Sequence, residues 1–181
     1  MLKTFVYRSA FFVLGAAMFS APLKAADQSP VLAQVDRGRQ LFQKANNGVM
    51  CASCHSLENT GTAVGPDLKT LGSVVAPRGL SNTINMTVTC YVQEYTLANG
   101  TTFPGFEKSK AGGMVEIWDL STSPAQLKKL KESEVTVKPN SKWKHPAATV
   151  GFDDQEMADL VAYIKAMATG NAKEVKAVEL H

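Results

Sequence analysis

Five consecutive residues constrain this 181-residue chain more than anything else in it: Cys51-Ala52-Ser53-Cys54-His55. Two thiols three positions apart, with an imidazole directly after the second, form the attachment pattern of a covalently bound haem. Each thiol adds across one of two vinyl groups on the same porphyrin edge. Two intervening residues let the backbone turn so that both sulfurs reach that edge. The next residue then aims its imidazole at the iron from one face. Competing uses of the pair fit less well. A thioredoxin-type disulfide would want a preceding strand and a tryptophan. A zinc site would need Cys90 or His145 as a further ligand. Three cysteines, one of them odd, argue against a disulfide framework.

The chain opens with Lys3 and Arg8 ahead of an apolar run from Ser9 to Ala21. That run is too short to span a bilayer comfortably. Small residues follow at Ala25-Ala26. Residues 1–25 read as a cleavable secretory signal, cut after Ala25 or Ala26, with a retained anchor as the alternative. The mature chain is expected in the periplasm with no membrane span. Removing Lys3, Arg8 and Lys24 takes the formal charge from +3 to 0, leaving 16 basic against 16 acidic residues. Nucleic acid binding has no support in that balance.

Residues 26–170 read as one domain. Val31 to Ala45 carries Val35, Leu41 and Phe42 near helical spacing and stops at Asn46-Asn47-Gly48. Gly61 to Gly72 reads as a loop with a turn at Gly65-Pro66. An insert at about 87–138 has a different texture. Thr87 to Leu97 is β-branched and aromatic, and Ala98-Asn99-Gly100 signals a hairpin. Thr102 to Lys108 returns, with Pro104 expected at an edge or a bulge. Lys110 to Gly113 is a second turn, and Met114 to Trp118 alternates. Glu134 to Lys138 is a fourth candidate, so three or four antiparallel strands are predicted. Asp153 with Glu156 three residues on is a capping box. Met157, Leu160, Val161, Ile164 and Met167 follow at helical spacing up to Gly170. Residues 171–181 are charged and predicted to fray.

The haem motif in this setting resembles class I cytochromes c. Gly38-Arg39-Gln40-Leu41-Phe42 is similar to the family's first helix, and Gly38 is expected to permit a close crossing with the last helix. Val64-Gly65-Pro66-Asp67-Leu68 is similar to the loop whose proline lies against the proximal histidine. Ala158 to Ile164 is similar to the C-terminal helix. Thr96 to Gly105 resembles the insert of bacterial haem-binding domains that accompany quinoprotein-type dehydrogenases. The resemblance implies a mainly α cytochrome c fold carrying an inserted sheet. It further implies one covalent haem c held by Cys51, Cys54 and His55, with Pro66 and Leu68 beside it.

The family usually places a methionine before a proline ahead of the last helix. Here that place holds Lys144-His145-Pro146. His145 is therefore the expected second iron ligand, with Cys90 and Met114 as alternatives, Met86 behind them, and an open site as a further option. Trp143 is expected beside the haem; Trp118 suits core packing equally well. Lys128, Lys129, Lys131, Lys138, Lys142 and Lys144 crowd the approach to His145 and suit an acidic redox partner. The leading functional expectation is a non-enzymatic electron carrier. The alternatives are a haem subunit of a periplasmic dehydrogenase complex, or gas-binding or catalytic chemistry if the sixth site is open or labile.

Overall fold

The structure is a computed structural model that describes residues 29–139 and 141–181; the N-terminal secretory segment read from the sequence lies outside them. Four α-helices form one body: α1 Pro30–Gln43, α2 Leu68–Val74, α3 Pro77–Ile84 and α4 Asp154–Thr169. α1 starts with Pro30 at its first position, where proline's missing N–H is harmless, and the Ser29 side chain accepts from the Leu32 N–H. α4 starts with the predicted capping box between Asp153 and Glu156 and ends at Gly170 in the left-handed region, φ 68°.

α4 is the axis of the core. Met157 to Ile164 is buried without interruption, because α1, α2, α3 and the C-terminal segment pack around it. α1 crosses it at Gly38, where an added Cβ would lie 1.9 Å from the Asp159 carbonyl oxygen and 2.8 Å from Tyr163 Cβ. Beside this contact Arg37 donates from Nε and Nη2 to the two carboxylate oxygens of buried Asp159, at 2.6 and 2.9 Å. The fork fixes the register of the crossing as well as satisfying a buried charge. Phe42 packs on Tyr163 with ring centres 5.7 Å apart.

Between α3 and α4 the chain builds an antiparallel sheet of five strands: β1 Gln93–Leu97, β2 Thr102–Ala111, β3 Met114–Asp119, β4 Gln126–Lys131 and β5 Val135–Lys138, in the order β4-β3-β2-β1-β5. The expected hairpin turns both form. Gly100 takes φ 84°, and Gly112 and Gly113 take 59° and 75°. Tyr95, Phe103, Val115 and Ile117 make a separate small core on the sheet.

Several expectations are corrected. The sheet has five strands rather than three or four, and 39% helix against 23% strand makes the described chain mixed rather than mainly α. The strand missed is β4, whose lysines read as a solvated run. It is an edge strand protected by charge, with Lys128, Lys129 and Lys131 paired to Asp119, Glu116 and Glu134. Pro104 sits on the central strand. It is tolerated because the N–H and C=O of one residue face the same neighbour, and here that neighbour is β3 where its ladder stops at Gly105↔Asp119. Residues 61–72 are not all loop: the Asp67 carboxylate accepts from the Lys69 and Thr70 N–H groups and starts α2 inside that span. Strand β1 begins at Gln93 rather than Thr87. The tail, expected to be free, packs onto the helical core. Val175 and Leu180 are buried, and the Gln34 amide exchanges two hydrogen bonds with the Val175 backbone, at 2.8 and 3.0 Å.

Replacing Gly38 by alanine should force α1 and α4 apart and lower stability by at least the roughly 1–3 kcal/mol typical of overpacking. Thermal unfolding of the purified protein measures it, and an unchanged midpoint would mean that the crossing has slack.

Candidate functional site

The cysteine motif occupies a 3₁₀ turn, Cys51–Ser53, that runs on by one α-helical step. The Cys51 carbonyl accepts from the N–H groups of Cys54 and His55 at 3.1 and 2.9 Å. One turn of backbone therefore places both half-buried thiols and the imidazole on a common side, an arrangement that two intervening residues allow. Burial pushes the Cys51 thiol up to about 11. Residues 57–66 fold back over the turn. Thr62 donates to the Ala52 carbonyl, and Val64 and Gly65 donate to that of Cys54, at 3.0, 3.0 and 2.7 Å.

This loop grips His55. Nδ1 of His55 lies 3.1 Å from the Pro66 carbonyl oxygen, the geometry of an Nδ1–H donor. That bond fixes the tautomer and leaves Nε2 with a free lone pair. Gly65 lies flat against the ring: a Cβ there would sit 2.4 Å from His55 Cε1 and 2.8 Å from Nδ1. Across a cavity of about 350 Å³ stands His145. Its Nδ1 lies 3.1 Å from the Ile84 carbonyl oxygen at the end of α3, so it repeats the arrangement. The ring centres of His55 and His145 are 6.1 Å apart and their planes are 88° to one another. Burial pushes both imidazoles below the usual histidine range, against the opposing pull of their carbonyl bonds, so both are neutral lone-pair donors near pH 7.

The separation is compatible with one metal ion between the rings. Two metal–nitrogen bonds of about 2 Å, with each nitrogen about 1 Å from its ring centre, space two imidazoles about 6 Å apart. The cavity wall is mainly apolar, with Phe42, Leu68, Leu71, Leu160 and Ile164 from the helices, Phe106 from the sheet and Leu120 from the turn after β3. Cys51 and Cys54 lie on the same wall. Such a chamber fits a flat apolar macrocycle with a central metal, tethered at one edge. The family model described as Cytochrome c matches residues 35–168. The chain belongs to the cytochrome c family. Comparison with curated proteins gives no match.

A cytochrome c holds a covalently bound haem c and transfers electrons, and the residues of this chain fit that group. Cys51, Cys54, His55, Pro66, Leu68, Trp143 and His145, all singled out in the sequence, are brought together around the one chamber. Cys90 is exposed and does not line it, so the lone cysteine is neither core nor wall. Met114 opens β3 beyond the cavity, Met157 is buried in the helical core, and Trp118 lies on the sheet under Lys108. Met86 reaches the wall but is 46% exposed. Among the described residues no group of three or more His, Cys, Asp or Glu side chains is arranged to hold a bare metal ion.

Sequence reasoning missed the segment 87–92 as part of the site. Its composition signals a strand, yet its backbone goes elsewhere: the Thr87 carbonyl accepts the His145 N–H at 3.2 Å, and that of Thr89 accepts the Val92 N–H at 3.2 Å. The Ile84 carbonyl was equally invisible, since any residue offers one. Gly65 carried a signal only as a turn. An alanine at position 65 should displace the His55 ring and reduce the yield of low-spin haem protein several-fold. Absorption spectroscopy of the purified variant reads this directly, and a wild-type spectrum at wild-type yield would show that the ring has room.

Proposed function

We propose that the protein is an exported monohaem class I cytochrome c that carries single electrons between periplasmic redox partners, with its iron held between His55 and His145. The observation that carries the reading is the pair of facing imidazoles, 6.1 Å apart, each turned by an Nδ1 bond to a carbonyl. The single C-x-x-C-H motif supports one haem, and residues 1–25 support export. Haem supplies a one-electron ferric–ferrous couple. The protein's part is to hold both ligands still. Pro66 and Ile84 fix the ring planes, and the apolar wall excludes water, so little has to rearrange when the charge on the site changes. With His55 and His145 both holding the iron, a bound haem would have no vacancy for a substrate, which favours a carrier over an enzyme. Two imidazoles also give a lower reduction potential than the histidine–methionine pair usual in the family.

The sheet supports membership of the subgroup with a β insert, and with it a dehydrogenase as electron donor. Most of its lysines are engaged in ion pairs on the sheet. Lys108, Lys110, Lys128, Lys129 and Lys131 are each paired to an acid. Lys142 and Lys144, which flank Trp143 and His145, are exposed with no acidic partner among the described residues. Together with Lys138, which is exposed on β5 and likewise without an acidic partner among the described residues, they are the cations we assign to steer an acidic partner toward the site.

Low-temperature EPR of the ferric protein should show a low-spin, strongly anisotropic signal, because perpendicular ligand planes leave two iron orbitals nearly degenerate. His145→Met should raise the potential and introduce a sulfur-to-iron band in the far red. If His145→Ala leaves the ferric spectrum untouched, the second ligand is something else. The rate of electron transfer to an acidic partner should fall with ionic strength, and more weakly in a Lys142→Ala, Lys144→Ala double variant; equal salt slopes would remove those two lysines from the docking surface.

A further inference from the structure

We propose that the five strands form a small barrel that serves as the lid of the haem chamber and opens as one unit about a neck that carries His145; the inference rests on the haem reading above. The topology makes the barrel. β4 and β5 are opposite edges of the sheet, about 19 Å apart if it lay flat. Only the 3₁₀ turn Glu132–Glu134, about 6 Å long, joins them. The sheet therefore coils until its edges come round together. The same turn holds both hairpin tips. The Glu132 N–H donates to the Gly113 carbonyl, and the Glu134 carbonyl accepts from the Ala98 N–H, at 2.9 and 3.0 Å. β2 turns the corner, pairing with β1 through Thr102 to Gly105 and with β3 from Gly105 onward. Gly105 permits the bend, since a Cβ there would lie 2.7 Å from the Tyr95 ring and 2.8 Å from Ile117 Cγ2.

The barrel is a body apart. Its core of Tyr95, Phe103, Val115 and Ile117 shares no residue with the helical core, and its ion pairs run within it. Among the described residues no strand packs along a helix. The two bodies face each other across the chamber instead. Phe106 is the barrel's seat there. The alternation that turns Phe103 and Gly105 inward turns Phe106 outward, half-buried, onto the chamber wall and edge-on to Tyr91, with ring centres 5.6 Å apart. Two chain segments cross between the bodies, and they are bonded to one another at the base. The Thr87 carbonyl accepts the His145 N–H at 3.2 Å, and His145 Nδ1 lies 3.1 Å from the Ile84 carbonyl oxygen. A wall with its own core and few bonds to its neighbour lifts before either core unfolds. Lifting opens a way in for a flat macrocycle and draws on the segment that holds His145. Closure seats the wall and the second ligand together.

Amide hydrogen exchange on the wild-type and Phe106→Ala holoproteins tests this. In Phe106→Ala the His145 and Val92 amides should exchange about tenfold faster, while Ile117 in the barrel core and Leu160 in α4 keep wild-type protection. Carbon monoxide binding to the ferrous protein requires His145 to leave the iron, so it should accelerate in step with the His145 amide. Phe106→Leu should restore both. An unchanged His145 amide would overturn the lid, as would protection lost at Ile117 or Leu160 together with it, or carbon monoxide binding that does not follow the amide. The haem reading is checked separately: a wild-type protein without the mass gain of one haem sinks that reading whatever the exchange rates are.

Discussion

Two imidazoles face each other across an apolar chamber, and most of the chain can be understood as the apparatus that keeps them there. Neither ring is held by its own backbone segment alone. His55 leaves a tight turn and is caught by the Pro66 carbonyl of a loop folded back over that turn. His145 leaves an irregular approach to α4 and is caught by the Ile84 carbonyl at the end of α3. In each case a backbone oxygen accepts a hydrogen bond from Nδ1–H and leaves Nε2 free, which converts histidine from a group with two tautomers into a directed lone pair.

The helical body supplies the rigidity this requires. α4 is buried along one uninterrupted stretch, α1 is pressed onto it at Gly38, and the Arg37–Asp159 fork locks the crossing. α2 follows directly from Pro66, so the loop that grips His55 is anchored in the same body, where an added Cβ at Gly72 would lie 2.7 Å from Ala168 Cβ on α4. The C-terminal segment completes the packing through Val175 and Leu180 and through the Gln34 amide. The sheet has its own small core and adds Phe106 and the 120–123 turn to the far wall. Its many charges mostly cancel across strands, so the sheet closes the chamber without presenting a strongly basic face.

How much of this was legible follows from how local each signal is. The cysteine turn, α1, the capping box of α4 and both hairpin turns are written in residues a few positions apart, and they were read correctly. β4 was missed because Gln126-Leu127-Lys128-Lys129-Leu130-Lys131 carries the charge of an edge, which hides its pairing. α2 and α3 were missed because seven and eight residues are too few to show a period. The span 87–92 has strand composition but spends its hydrogen bonds on the site. The tail was read as solvated from its charges, although two apolar residues, Val175 and Leu180, were enough to seat it.

The sequence by itself determined the chemistry at one edge of the chamber, because two thiols and an imidazole within five residues need only a single turn of backbone to act together. It also named a second imidazole, placed before a proline and ahead of the last helix. Only the tertiary structure decided that this ring stands 6.1 Å from the first, at right angles to it, and with its Nδ1 on the Ile84 carbonyl. That depends on a carbonyl 61 residues away in sequence. Orientation of a side chain by a distant backbone oxygen leaves no trace in residue type, since every residue carries the same oxygen.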